Sequence, residues 1–310
     1  MKTRFHSKSR SGFTLIELMV AMAITTVIVT VLVSITGVAL DTWQRGRSEI
    51  RASRQAKAML DTMAKDFESF VSRRGNNFEW LYSKVDSQLP GPSANPSSNA
   101  AELIFFTAAT DRYLGEIGSP EDNGGDVSCV GYKLEYQDPV KGTDEQNSST
   151  FVLYRLLVNP DDTFEELLGQ EDLDTAFSTY SSKLTDVENF VCENVFQFTL
   201  TYQVEVNQTI GGKVTPVPVR VTLGESGAGQ EFRLRGSGID TDASAGSLKP
   251  SVSIDELAAG RLIGVEISIT VLSEAGIIRL NNTALSEEAR EKILARESFQ
   301  YSRVVQLPGM

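Results

Sequence analysis

The side chains that most often carry catalysis are scarce in this chain of 310 residues. It contains one histidine, His6, and two cysteines, Cys129 and Cys192. Ser-His-Asp and Cys-His catalysis need a histidine base, and the common catalytic zinc sites need histidine ligands. Because no nucleophile stands beside a base in any recognisable spacing, we do not expect an enzyme.

The two cysteines leave two alternatives open. In a compartment outside the cytoplasm Cys129 and Cys192 could form a disulfide, which would stabilise the fold by up to about 4 kcal/mol. The other alternative is a pair of buried free thiols. A metal site built from two cysteines without histidine is not expected.

Two acidic runs are the remaining candidates for a bound ion. Residues 121–126 and 161–166 offer carboxylate and amide oxygens, which are the ligands that calcium prefers. Neither run has the spacing of an EF-hand loop. We therefore predict solvated acidic loops and no cofactor, with calcium as the alternative.

The charge of the chain is unevenly distributed. There are 29 basic and 41 acidic residues, which gives a net charge of −12 and a sequence pI near 4.7. Four of the basic residues lie in the first twelve positions: Lys2, Arg4, Lys8 and Arg10. The remainder then has 25 basic and 41 acidic residues, a net −16. Binding to nucleic acid needs a basic surface, so no nucleic-acid partner is predicted.

A long apolar run follows the basic residues. It extends over 13–40, and its only charged residue is Glu17. As a helix, residues 18–40 would be about 35 Å long, enough to cross a hydrocarbon core of about 30 Å. By the positive-inside rule, the basic residues ahead of the run place the N-terminus in the cytoplasm.

Two ordinary interpretations of this run are incomplete. A cleaved secretory signal would have an apolar region of only about 7–15 residues, and it would end in small residues. A single-pass membrane anchor explains the length of the run. It does not explain Glu17, because an unpaired carboxylate in a bilayer costs free energy.

The residues around position 12 have a third interpretation. Ser11-Gly12-Phe13-Thr14-Leu15-Ile16-Glu17, after a basic leader and before an apolar helix, resembles the processing site of type IV prepilins and type II secretion pseudopilins. The resemblance implies that prepilin peptidase cuts after Gly12 and that Phe13 becomes the N-methylated first residue. It also implies that Glu17 pairs with the N-terminal amine of a neighbouring subunit during assembly.

The same resemblance gives a set of domains. Residues 1–12 would be the leader, 13–40 the transmembrane and filament-core helix, and 41–71 its amphipathic continuation. Residues 72–310 would form a periplasmic α+β head. The partners implied are the peptidase, other pilin or pseudopilin subunits and an assembly platform in the bacterial inner membrane.

The resemblance implies a pilin-like α+β fold, in which a long N-terminal helix packs on an antiparallel sheet, and the periodicity of the sequence agrees with it. Apolar residues recur every three or four positions from Ala56 to Phe70, as on one face of a helix. Five segments have the composition of strands, several with clear alternation: 102–108, 130–136, 151–158, 195–206 and 264–272. A short helix is predicted from Ser286 to Glu297.

The stretch 224–253 is rich in glycine and serine and is predicted to be a long hairpin excursion or a loop. Pro216 and Pro218, just before it, favour a position at the edge of the sheet. Gly75 or Asn76 is expected to end the long helix.

The order of the segments is similar to that of J-type minor pseudopilins. Residues 186–190 precede the alternating strand, and residues 261–267 come near the end. The sequence therefore predicts a minor pilin or minor pseudopilin that assembles at the tip or in the initiating complex of a pilus or pseudopilus. The alternative is a membrane-anchored periplasmic binding or sensor protein.

Overall fold

A computed structural model shows a long N-terminal helix followed by an antiparallel β-sheet, which is the predicted α+β layout. It describes residues 14–86, 89, 91, 96–97, 99–108, 126–142, 149–210, 212–224, 229–244, 248, 250–281 and 285–307. The chain forms two compact units, Met1–Ile50 and Arg51–Met310.

The helices are α1 Leu15–Glu68, α2 Pro160–Asp162, α3 Leu173–Phe177, α4 Ser181–Leu184, α5 Ile254–Ala258, α6 Glu274–Leu280 and α7 Glu287–Glu297. The strands are β1 Glu79–Asp86, β2 Ala100–Thr107, β3 Ser128–Gln137, β4 Thr150–Leu157, β5 Phe190–Glu193, β6 Val195–Ile210, β7 Lys213–Thr222, β8 Glu231–Arg235, β9 Gly238–Thr241, β10 Arg261–Leu272 and β11 Ser298–Gln306. The five predicted strands correspond to β2, β3, β4, β6 and β10. Helix α7 begins directly after Ser286, the predicted cap. The Ser286 side chain accepts a hydrogen bond from the Ala289 N–H.

The strands form two antiparallel groups. Seven of them follow one another in space in the order β5-β4-β3-β2-β1-β8-β9, and four follow in the order β7-β6-β10-β11. The groups meet at one parallel bridge between Ala100 of β2 and Phe198 of β6. Every other strand pair in the described sheet is antiparallel, so the prediction of an antiparallel sheet is confirmed.

Helix α1 ends three residues before the predicted boundary at position 71. The chain turns into the sheet instead: Phe70 forms a β-bridge with Thr107, and the Val71 N–H donates to the Phe106 carbonyl at 2.9 Å. Gly75 does take a left-handed conformation, with φ of 85°. It does so in the connection to β1, so it is not the helix cap that the sequence suggested.

The second part of α1 is buried against the sheet along the predicted stripe. Its buried apolar residues are Ala52, Ala56, Met59, Leu60, Met63, Ala64 and Phe67. The ring of Phe67 stacks on that of Phe105 in β2, with centroids 4.3 Å apart. Burial of this face, at roughly 25 cal/mol per Å² of apolar surface, is what holds the helix to the sheet.

One ion pair lies inside this contact. Asp66 of α1 accepts two hydrogen bonds of 2.7 Å from the guanidinium of Arg155 in β4, and both side chains are 2% exposed. The hydroxyl of Tyr132 in β3 donates to the same carboxylate. Two charges are thus removed from water but satisfied by each other and by a third group, which is the arrangement that makes a buried pair tolerable.

Part of the Gly/Ser-rich stretch lies in the sheet. Strands β8 and β9 form a hairpin in which they pair with each other, and β8 also pairs with β1. Arg233 of β8 donates to the buried carboxylate of Glu79 in β1, at 3.2 and 3.3 Å, and this fixes the hairpin. Pro216 and Pro218 lie in β7, which among the described strands pairs with β6 alone, so their predicted edge position is confirmed.

Removal of one partner of the buried pair should destabilise the protein strongly. In Asp66→Ala the Arg155 guanidinium keeps its charge without a counterion, and we expect a loss of about 3–5 kcal/mol in the free energy of unfolding. Urea unfolding of the detergent-solubilised chain, followed by fluorescence of the buried Trp80, would measure it. The double variant Asp66→Leu/Arg155→Met should lose much less. Equal losses in the single and double variants would contradict this assignment.

Candidate processing and assembly segment

The predicted processing site lies at the boundary of the described chain. Gly12 and Phe13 are outside the described residues, and Glu17 lies in the first turn of α1. The structure therefore shows the surroundings of Glu17 and not those of the predicted cleavage site.

Glu17 is held by Thr14. Its Oε2 accepts hydrogen bonds of 2.9 Å from both the N–H and the hydroxyl of Thr14, while the Thr14 hydroxyl accepts from the Glu17 N–H at 3.3 Å. This is a capping box at the start of a helix, with Thr14 as cap and Glu17 three residues later. The carboxylate thus has local donors in the isolated chain, although the side chains are exposed.

The rest of the segment presents an apolar surface in all directions. Large apolar side chains from Leu15 to Leu40 are between 50% and 76% exposed, Val31 being the least exposed and Leu15 the most. A helix that is apolar all round requires a lipid surrounding or contact with other helices. Within the described residues α1 is the one helix long and apolar enough to cross a membrane, with a mean hydropathy of 2.6 in its most apolar window.

The hydroxyl groups in this segment do not contradict a membrane location. Those of Thr25, Thr26, Thr30, Ser34 and Thr36 each donate to the carbonyl four residues earlier, at 2.8 to 3.0 Å. Such bonds satisfy a hydroxyl within the helix, as hydrocarbon requires. The helix is therefore consistent with a membrane anchor.

Comparison with known proteins identifies the same segment. Residues 7–33 match the family model described as the prokaryotic N-terminal methylation motif. No match was found among curated proteins or among solved structures. The match covers residues 7–12 of the predicted leader and the apolar run as far as residue 33, and it supports a type IV pilin-like protein whose N-terminus is processed by prepilin peptidase.

The two cysteines are free and buried, so the disulfide alternative is not present in the structure. The registers of the sheet explain why. Cys192 of β5 is opposite Leu153 of β4, whereas Cys129 of β3 lies beside Val158, whose N–H donates to the Cys129 carbonyl. Leu153 and Val158, which lies just beyond the end of β4, are five residues apart along an extended chain, which is about 16 Å. A disulfide needs Cα atoms within about 7 Å of each other.

One of the two acidic runs lies within the described chain. Residues 161–166 lie in α2 and the π-helical turn Thr163–Leu167, where Glu166 accepts a hydrogen bond from the Tyr180 hydroxyl. Most of the run 121–126 lies outside the described residues. No group of three or more His, Cys, Asp or Glu side chains that could hold a metal ion occurs within the part that is described.

Thr14 is the residue of this segment that sequence reasoning missed. A threonine three residues before a glutamate, just ahead of an apolar helical run, is the pattern of a capping box. That pattern was available, but Glu17 was interpreted as a carboxylate without a local partner.

The buried thiols should be unreactive in the folded protein. Burial raises the pKa of the Cys192 thiol to about 12, helped by the nearby charge of Glu193, and burial also raises the pKa of the Cys129 thiol. Because the thiolate is the reactive form, iodoacetamide at pH 8 should not modify the native protein. After unfolding it should modify both cysteines. The intact mass, measured with and without prior reduction, would show any disulfide, and its presence would contradict the registers given above.

Loss of the Glu17 carboxylate should affect assembly and not folding. We expect Glu17→Ala to be cleaved normally, because Gly12 and Phe13 on either side of the predicted cleavage point are unchanged, but to enter filaments or tip complexes at least about tenfold less. Immunoblots of sheared filaments and membranes would measure both. Glu49→Ala, which removes an exposed carboxylate beyond the apolar run of the same helix, is the matched control. Normal incorporation of Glu17→Ala would contradict the assembly role.

Proposed function

We propose that this protein is a minor pilin or minor pseudopilin, a structural subunit that assembles through its N-terminal helix. The observation that carries the proposal is the methylation motif over residues 7–33. It coincides with the start of an exposed apolar helix and with Glu17 in the first turn of that helix.

In this function the apolar part of α1 has two successive surroundings. Before assembly it is the membrane anchor, with the N-terminus in the cytoplasm and the head in the periplasm. In the assembled state the same side chains pack against the helices of other subunits. Van der Waals packing would replace lipid contacts, with little change in how much apolar surface is kept from water.

Flanking charge alone does not set this orientation. Arg45, Arg47, Arg51, Arg54 and Lys57 also follow the apolar run within seventeen positions, and all are exposed. In the proposed function the orientation is therefore the one that goes with the prepilin resemblance, in which the chain inserts with its leader in the cytoplasm. A cytoplasmic leader of residues 1–12 requires a head on the opposite side of the membrane.

Glu17 would favour the transfer of the apolar part of α1 from lipid to contact with other subunits. In the single chain its carboxylate accepts hydrogen bonds only from Thr14 among the described residues. An N-terminal ammonium of a neighbouring subunit would add a charged partner, and a charge pair in a low-dielectric surrounding is stronger than two neutral hydrogen bonds. Assembly would thereby neutralise a charge that is costly in lipid.

The size of the head favours a place at the tip. Residues 51–310 form one compact unit, which is large for a subunit that must repeat closely along a shaft. Nothing comparable limits a subunit placed at the end of a filament or in the complex that begins one. We therefore assign a structural role at the tip or in the initiating complex, without catalysis.

The proposed position can be tested by locating the protein on assembled filaments. Gold labelling of a tag at the C-terminus should appear at filament ends, with the major subunit labelled along the whole length as the control. Label distributed along the shaft would contradict the tip position. Absence of the protein from filaments, with all of it in the membrane, would favour an anchored binding or sensor protein instead.

A further inference from the structure

A cavity of about 90 Å³ lies where three connections of the head meet. Its walls are the β8–β9 turn at residues 236–238, Arg74 in the connection from α1 to β1, and residues 258–260 between α5 and β10. A water molecule needs about 10–15 Å³ of such volume, so a group of several heavy atoms can enter. None of the described residues that line the cavity is acidic.

Backbone contacts fix the walls of this cavity. The Gly75 N–H donates to the Gly236 carbonyl, and the Gly236 N–H donates to the Phe78 carbonyl, both at 3.0 Å. These bonds tie the β8–β9 turn to the connection that carries Arg74. On the other side, a Cβ on Gly238 would lie only 2.5 Å from the carbonyl oxygen of Ala258. The cavity is therefore formed before any ligand binds, which lowers the cost of binding.

One wall presents a buried donor without a partner. The Nε of Arg235 is buried and has no hydrogen-bond partner. The same guanidinium lies 3.9 Å from the Glu79 Oε1 and 3.6 Å from the Asp240 Oδ2, and both distances are too long for hydrogen bonds. Native proteins rarely leave a buried donor unpaired, so this Nε–H indicates a place where a ligand supplies the acceptor.

Arg74 adds a second cation to the lining. Its side chain is exposed, and it has no ion pair or hydrogen bond with another of the described residues. The hydroxyl of Ser237, also exposed, is a neutral donor at the same place. In a chain with a net charge of −12, two guanidiniums thus border one cavity that has no carboxylate in its lining. Such a lining attracts an anion.

The surroundings favour an anion with a single charge. Glu79 and Asp240 lie close to Arg235, and the carbonyl of Ala258 forms part of the wall. These groups would repel a second negative charge, which disfavours a dianion such as phosphate or sulfate. A carboxylate has one charge, and its two oxygens match the planar fork of donors that a guanidinium offers.

We propose that this cavity binds a carboxylate group, which accepts a hydrogen bond from the Arg235 Nε and is paired with the charge of Arg74. The carboxylate has two possible sources, a small free acid or the end of another protein chain, and both present the same chemistry. The inference does not depend on the function proposed above, because every residue involved belongs to the compact unit Arg51–Met310.

The test uses the full chain in detergent, with sodium acetate as the probe and sodium chloride at equal ionic strength as the reference. A ligand that binds only the folded protein raises the midpoint of urea unfolding as its concentration rises, and this dependence gives the Kd. Arg74→Gln removes the exposed cation of the cavity. Its Kd for acetate should be at least about tenfold higher, since a charge-assisted hydrogen bond contributes at least that much.

Arg73→Gln is the matched control. Arg73 is the neighbouring exposed arginine, but it does not line the cavity. It should bind acetate as the wild type does, and any general effect of acetate on stability should be equal in the two variants. The proposal is overturned if Arg74→Gln responds to acetate as strongly as Arg73→Gln.

A second variant tests the buried donor itself. Arg235→Lys keeps a positive charge near Glu79 but lacks the Nε–H and the fork of donors. It should also bind acetate at least about tenfold more weakly, with its folding checked by urea unfolding in chloride. Unchanged acetate binding in folded Arg235→Lys would contradict the role of the Nε. Should this variant not fold, the comparison of Arg74→Gln with Arg73→Gln still decides.

Further probes separate the sources of the carboxylate. N-acetyl-glycyl-glycine carries the carboxylate at a chain end, and its amide lacks the charge. Tighter binding of the dipeptide than of acetate would assign the site to a chain end, and weaker binding would assign it to a small free acid. The proposal is overturned if the amide stabilises the protein as well as the acid does. It is also overturned if sulfate gives a larger difference between Arg73→Gln and Arg74→Gln than acetate does.

Discussion

The position of helix α1 on the sheet depends on the buried ion pair between Asp66 and Arg155. Apolar burial along the helix is not directional, so by itself it would tolerate sliding or rotation of the helix. The bidentate geometry of the pair, together with the Tyr132 hydroxyl, joins α1 to β3 and β4 at one defined register. Phe67 is then placed on Phe105, and the chain leaves the helix where Phe70 meets Thr107.

The first part of α1 follows a different physical rule. Its apolar side chains are exposed all round, and its hydroxyls are satisfied by the helix itself. Glu17 is the exception, and Thr14 supplies its local donors. The capping box gives the carboxylate a tolerable state in the single chain. In the function that we propose, a charged partner would make the assembled state more favourable still.

The features that sequence predicted are those set by local periodicity. The alternation of β6 and β10, the stripe from Ala56 to Phe67 and the cap at Ser286 each involve side chains close together along the chain. The partners of Asp66 and the pairing of β8 with β1 could not be predicted in the same way. Tyr132 and Arg155 lie 66 and 89 positions from Asp66, and β8 lies far from β1 along the chain. Whether the two cysteines form a disulfide could not be predicted for the same reason, since only the strand registers reveal the distance between them. In the candidate site, Glu17 was found because its charge interrupts an apolar run, whereas Thr14 does not stand out by charge.

The N-terminus of the mature protein shows whether this chain is processed as a pilin. The chain should be produced in a host with an active prepilin peptidase, and its N-terminal peptide should be identified by mass spectrometry. The pilin-type account predicts that the chain begins at Phe13 and that this residue carries an N-methyl group. Gly12→Val should retain the leader in the same host. A wild-type chain that keeps Met1 and the leader, with the peptidase shown to be active on another substrate, would contradict the account.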